Sequence, residues 1–275
     1  MRQTLFPPLR LAEWRATRDT LHTYARLVGS IRRALVPPQK HWWHISLRAS
    51  ACGLTTTPMP AGNRTCELTL DLTSHDLTIT TSRGDWWDVP LEGQSSRELR
   101  ASVLGNLEAM GVKPEIEREP FASEATNPYD ADAVDAYWQA LSQMDLLLKQ
   151  FRGELREETS PVQLWPHHFD LSLVWFSGRR VPGVDPAKAE EADEQMAFGF
   201  STGDEGTPEP YFYITAYPWP EGLEETALPA GACWQQEGWQ GALLPYHALP
   251  ESDPQAYLLD FWRTVQRAGA DRMGA

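Results

Sequence analysis

At 275 residues the chain is long enough to bury a substantial core, and its 38 Asp and Glu outnumber 24 Lys and Arg for a net charge of −14. The densest basic spots, Arg32-Arg33 and Arg179-Arg180, are two residues each, which argues against a phosphate-neutralising face, so no nucleic-acid partner is expected. Three cysteines without CxxC spacing (Cys52, Cys66, Cys233) argue against a disulfide framework and a zinc ribbon.

Reduced thiols fit a cytoplasmic location, and Met1 to Pro8 has one arginine and no apolar run, so no signal peptide is expected. No apolar stretch approaches the roughly 20 residues of a bilayer span, so no membrane partner is expected either. The 22 prolines predict short strands and structured loops rather than a helical bundle.

In chain order, Trp14 to Leu35 reads as a helix, with Trp14, Leu21, Tyr24, Val28, Ile31 and Leu35 on one stripe, stopped by Pro37-Pro38. His44 to Ala51 alternates polar and apolar as a half-buried strand does. Cys66 to Thr73 alternates again, with Leu68, Leu70 and Leu72 inward, and turns at Ser74-His75-Asp76 into a strand over Leu77 to Thr81. Trp86 to Leu91 is a fourth strand; Ser95 or Ser96 then caps a helix with Glu98 in its first turn, ended by Gly111. After a polar stretch, Ala133 to Leu155 is a helix, and Trp165 to Phe176, Met196 to Phe200, Pro210 to Tyr217 and Gln240 to Tyr246 are strands. Asp253-Pro254 opens a last helix that ends at Gly269.

The same order occurs twice. A shift of 124 positions over the 34 residues Trp14–Leu47 makes eight positions identical: Trp14/Trp138, Ala16/Ala140, Gly29/Gly153, Arg32/Arg156, Pro37/Pro161, Gln39/Gln163, His44/His168 and Leu47/Leu171. Unrelated sequence would give about two. The fold class expected is α+β, an internally duplicated α-β-β-β-β-α unit with antiparallel sheets packed about a pseudo-two-fold axis. Residues 1–113 form the first repeat, 114–128 a linker and 129–275 the second repeat.

On a strand, His168 and Asp170 of Trp165-Pro166-His167-His168-Phe169-Asp170-Leu171 point to one face. An imidazole beside a carboxylate is a general base with its orienting acid, or two ligands of a divalent metal, or a strand pinned by ordinary hydrogen bonds. The duplication places His44 at the equivalent position, with Arg48 following it, which makes His44, His168 and Asp170 the candidate catalytic set and the candidate metal set; a further metal ligand would come from Glu209 or Asp204. Arg179 beside Gly178 is suited to a carboxylate or phosphate, or is an exposed basic turn facing the acidic stretch Glu190 to Glu194. Tyr211 and Tyr213 share a strand face after Glu209, suited to small-molecule recognition or to the edge of a core. Trp42-Trp43 and Trp86-Trp87 read as core and rim packing. No GxSxG elbow, P-loop, GxGxxG or HExxH is present, which removes the main support for serine-hydrolase, NTPase, dinucleotide-binding and zinc-protease classes.

The segments His41 to Leu47, Gly53-Leu54-Thr55-Thr56, His167 to Leu171, Phe176-Ser177-Gly178-Arg179-Arg180, Pro208 to Tyr213 and Leu243-Leu244-Pro245-Tyr246 together resemble a bacterial family of uncharacterised proteins, domain of unknown function 5996, over nearly the whole chain. The resemblance implies no activity; it implies that His167 lies outside the essential set and that Gly183 to Gln195 is an insertion. Taken together, the residues point to a small-molecule-binding protein with a polar cleft lined by His44, Arg48, His168, Asp170, Tyr211 and Tyr213, with Arg179 and Glu209 as further ligand contacts. Hydrolytic or acid–base chemistry there would use His168 as base, Asp170 to orient it and Arg48 or Arg179 to hold an anionic group. The alternative is a non-catalytic interaction or structural protein whose acidic surface binds a partner.

Overall fold

A computed structural model of the chain describes residues 5–274. Its elements are α1 (Leu11–Leu35), a 3-10 turn (Lys40–Ile45), β1 (Arg48–Ala49), β2 (Gly53–Thr55), β3 (Met59–Ala61), β4 (Arg64–Asp71), β5 (Asp76–Thr81), β6 (Trp86–Pro90), α2 (Ser96–Ala109), α3 (Ala131–Glu154), β7 (Gln163–Trp165), β8 (Asp170–Arg180), α4 (Ala189–Ala192), β9 (Asp193–Ser201), β10 (Tyr211–Tyr217), β11 (Cys233–Gln235), β12 (Gly241–Pro245) and α5 (Pro254–Met273). Among the described residues no helix is long and apolar enough to cross a membrane.

The chain forms two compact units. Among the described residues the N-terminal unit comprises 12–142 and 163–169, and the C-terminal unit 5–11, 143–162 and 170–274. The division falls inside α3 and does not follow the two halves read from the sequence.

In the N-terminal unit an antiparallel sheet runs β1-β2-β4-β5-β6, with β3 on β4. Period-two alternation builds its inner face: Leu54, Leu70, Leu77 and Val89 stand opposite one another across four strands, and all four are buried. The opposite face carries the row Thr55, Thr69, Thr78 and Asp88. Helix α2 starts on a capping box, the Ser95 hydroxyl accepting from the Glu98 N–H (3.2 Å) while the Glu98 carboxylate accepts from the Ser95 N–H (3.0 Å). Its Leu99, Val103 and Leu107 are buried.

In the C-terminal unit the antiparallel order is β8-β9-β10-β12-β11. Leu171, Leu173 and Trp175 of β8, Met196, Phe198 and Phe200 of β9, and Phe212 and Ile214 of β10 share its buried face. Phe151 of α3 meets Phe198 at 5.0 Å and Trp262 of α5 at 5.8 Å between ring centroids. The expected α+β duplication is present as the same four-strand meander in both units, β2-β4-β5-β6 and β8-β9-β10-β12, each preceded and followed by a helix.

Four expectations differ. His44 lies in the 3-10 turn, not on a strand, because His41 and Trp42 take left-handed backbone angles (φ 53° and 58°) that coil the chain after Pro37-Pro38. The strand expected from Trp165 begins only at Asp170: Pro166 to Phe169 is a turn closed by the Phe169 N–H on the Trp165 carbonyl (2.7 Å), with Phe169 at φ 59°. Helix α5 runs through Gly269 to Met273, because the Met196 sulfur lies 2.4 Å from where a Cβ at Gly269 would be; that glycine admits a neighbour rather than ending a helix. Of the tryptophan pairs read as packing, Trp42 and Trp86 are exposed.

Candidate functional site

The polar face of the C-terminal sheet gathers three of the expected site residues. Ser172, Gly199, Tyr213 and Leu243 stand in one cross-strand row, and Ser201 pairs with Tyr211 in the next. Tyr213 lies flat across Gly199, where a Cβ would sit 2.4 Å from the ring. The missing side chain lets the phenol reach over β9 and donate to the Asp170 carboxyl on β8. Tyr211 donates to Asp204 Oδ2 (3.0 Å) and stacks on Trp239 at 6.2 Å. The two tyrosine rings are 6.3 Å apart, so two phenol–carboxylate pairs lie side by side.

Burial, reinforced by the Asp170 charge, pushes the Tyr213 phenol well above its ordinary range; burial and then Asp204 do the same to Tyr211. Both hydroxyls therefore keep their protons at neutral pH and act as donors. Asp170 is buried, and its neighbours Ser172 and Ser201 are buried as well. A protonated phenol, a carboxyl and hydroxyls on one face are able to hold a ligand's hydroxyl or amino group and to move a proton.

The remaining expected residues lie elsewhere. His168 is exposed in the Pro166–Phe169 turn, its ring 4.3 Å from that of His167. The strand-face relation expected between His168 and Asp170 does not form, because the turn and the left-handed Phe169 break the period of two; Phe169 is buried against Tyr137 (5.4 Å) and His22 (5.2 Å). His44 is buried, and its Nδ1 accepts from the Gln39 N–H (3.2 Å). Burial, then the charges of Arg33 and Arg32, hold its pKa below the ordinary histidine value. Arg48 donates to Gln163 Oε1 (2.8 Å), which lies equally close to the Ser46 hydroxyl. Arg179 donates to the Met273 carbonyl (2.6 Å) at the C-terminal end of α5, where a cation complements the helix dipole, and Arg180 pairs with Asp193 at 2.8 Å, as the exposed-basic-turn alternative has it. Glu209 is exposed and accepts from the Leu11 N–H (3.4 Å).

Among the described residues no three His, Cys, Asp or Glu side chains form a group able to hold a metal ion, so the ligand set His44, His168 and Asp170 is not assembled. The residue that sequence reasoning missed is Gly199. Its signal is visible in the chain: a lone glycine between two phenylalanines in a strand marks a close approach.

A family model described as a family of unknown function (DUF5996) matches residues 6–275. The chain belongs to this family. No curated protein and no solved structure matches the chain. Membership brings no activity or substrate with it, and function has to be argued from the residues themselves.

Proposed function

We propose that the protein binds a small hydroxylated or amino-bearing molecule on the face that carries Asp170, Tyr211 and Tyr213. The observation that supports this is the pair of adjacent phenol–carboxylate contacts, Tyr213 on Asp170 and Tyr211 on Asp204, built over a strand position kept empty by Gly199. Two carboxylates on one face repel anions and favour a neutral or cationic ligand. Aromatic surface from Tyr211 and Trp239 suits the apolar side of such a molecule. In this reading Asp170 and Tyr213 are the proton-transfer pair, and the base role expected of His168 passes to Asp170.

The test is a thermal-shift titration of the full chain with monosaccharides and simple aliphatic diamines, repeated with Asp170→Asn and Tyr213→Phe. Binding predicts that one class raises the melting temperature of the wild type saturably, and that Asp170→Asn loses the effect while still melting cooperatively. A variant that is destabilised by the ~1–3 kcal/mol of a broken buried hydrogen bond, with every probe acting on it as on the wild type, would show the pair to be structural only.

A second reading, a non-catalytic interaction protein, is favoured by Trp86. It is 65% exposed on the edge strand β6, its indole N–H donating to Asp88 Oδ2 (2.8 Å), an aromatic surface of the kind found at interfaces. Trp86→Ala would leave small-molecule shifts unchanged and abolish partner binding.

A further inference from the structure

Arg32 stands in the last turn of α1 with only 5% of its surface exposed. Its Nη1 donates to the Thr57 hydroxyl (3.0 Å), and its Nε has no partner among the described residues. Removing a guanidinium from water costs several kcal/mol unless a carboxylate or a full set of acceptors offsets it. Here neither does: burial alone moves the Arg32 pKa, and it moves it down. The chain has 14 more carboxylates than cations, so acceptors are not scarce.

Apart from the negative end of the α1 dipole, where Arg32 stands, the neighbouring side chains add positive charge rather than removing it. Arg33 lies 5.7 Å from the centre of the Trp42 ring, and that ring stacks on His44 at 5.6 Å. His44 feels both arginine charges. With its Nδ1 accepting from Gln39, the His44 proton sits on Nε2, a donor. No carboxylate among the described residues pairs with Arg32, Arg33 or His44.

The hydroxyl that meets Arg32 is held at a cost. Thr57 is β-branched yet has φ 57°, a strained conformation that persists only where surroundings impose it. Its N–H donates to the Thr55 hydroxyl (2.8 Å) and its carbonyl accepts from the Thr56 hydroxyl (2.9 Å), which fix the turn. His41 and Trp42 share the left-handed backbone, so a strained residue meets Arg32 (Thr57) and another stacks on His44 (Trp42). A glycine at position 57 would relieve the strain and lose the hydroxyl.

We propose that Arg32 anchors an oxyanion-binding site, completed by the Thr57 hydroxyl, Arg33 and His44, which takes the phosphate or carboxylate group of a small molecule. Arg32 supplies the planar fork that fits such a group bidentately, its Nε a donor that is buried and unpartnered among the described residues. The site belongs wholly to the N-terminal unit and does not rest on the ligand proposed for the C-terminal sheet, whose carboxylates select against anions.

The experiment titrates the full chain with inorganic phosphate and, separately, with acetate, each against sodium chloride of equal ionic strength, and follows the melting temperature. The site predicts a saturable rise with at least one oxyanion and none with chloride; the phosphate and acetate arms tell which group it is shaped for. Arg32→Met should weaken that oxyanion at least about tenfold, the loss of one charge-assisted bidentate contact. In anion-free buffer the same variant should be as stable as the wild type or more so, because a buried charge without a counter-charge is gone. A purely structural Arg32 predicts the opposite, a destabilised variant. Arg32→Lys, which keeps the charge without the fork, serves where Arg32→Met does not fold, and should also bind at least about tenfold more weakly. No oxyanion effect beyond chloride in the wild type, or an effect that survives both substitutions, overturns the proposal.

Discussion

Gly199→Ala is the sharpest perturbation of the candidate site. A Cβ at position 199 would lie 2.4 Å from Tyr213 Cζ, 2.5 Å from its hydroxyl oxygen and 2.6 Å from Cε1, where ordinary contact begins near 3.4 Å. The ring must lift, and the phenol then leaves the Asp170 carboxyl. Overpacking costs about 1–3 kcal/mol, and breaking the buried phenol–carboxyl hydrogen bond costs about 1–3 kcal/mol more. Alanine recovers roughly 0.5–1 kcal/mol over glycine in a strand, which leaves a net destabilisation of roughly 1–5 kcal/mol. The assay is urea unfolding followed by tryptophan fluorescence, which reports on Trp175 and Trp262 in the core of the same unit. Repeating Gly199→Ala in a Tyr213→Ala background isolates the clash. Without the ring, the substitution should be neutral or slightly stabilising, so the two changes should couple by at least about 1 kcal/mol. Additivity within about 0.5 kcal/mol would refute the claim that Gly199 exists to admit Tyr213.

Leu70→Ala, in the middle of the Leu54–Leu70–Leu77–Val89 row, should cost about 2–5 kcal/mol in the same unfolding assay. Ser95→Ala removes the hydroxyl half of the α2 capping box and should cost about 0.5–2 kcal/mol, with Ser95→Thr recovering most of it. His167 is exposed in its turn, yet partial desolvation of its ring, then the charges of His168 and His22, hold its pKa down to about 4. Its folded pKa lies below the unfolded 6.5, so between the two the unfolded chain binds a proton that the folded chain does not, and stability should fall as pH drops from 6.5 through 4. His167→Gln should flatten that part of the melting-temperature profile, and an unchanged slope would show that other groups carry it.

The parts of the fold legible in the sequence are those that repeat a period locally. Leu68, Leu70 and Leu72 announce a strand with one buried face, and all three are fully buried. Ser95 and Glu98 announce a helix start, and the capping box forms. The segments that mislead do so where tertiary packing sets the backbone. His41, Trp42 and Thr57 carry no local reason for a left-handed angle, and no residue pattern marks them. Pro166 is a visible warning within the expected strand, since proline cannot supply a ladder hydrogen bond; it packs instead where a Cβ on Gly29 would lie 2.6 Å from its Cγ. The short strands β2 and β3 leave no signal in the sequence because three residues are too few to show alternation.

The candidate site is half legible for a related reason. Period two places Tyr211 and Tyr213 on one face, and they are there. The partner of Tyr213 is set by register across the sheet, two strands away, and register is not a local property. The duplicated meander shows what the difference amounts to. In the N-terminal unit the polar row reads Thr55, Thr69, Thr78 and Asp88, short side chains of which Thr78 donates to Asp88 Oδ1 (3.0 Å) and Thr55 to Glu67 on the neighbouring strand. In the C-terminal unit the corresponding kind of row reads Ser172, Gly199, Tyr213 and Leu243. The order of the four strands is the same in both. In the second row Gly199 leaves the room and Tyr213 fills it, so an aromatic ring lies flat and carries a proton donor across a strand. Two units of one architecture thus present different chemistry: a phenol–carboxylate face on the sheet of one, and in the other a buried arginine at the end of a helix, bonded to a threonine hydroxyl.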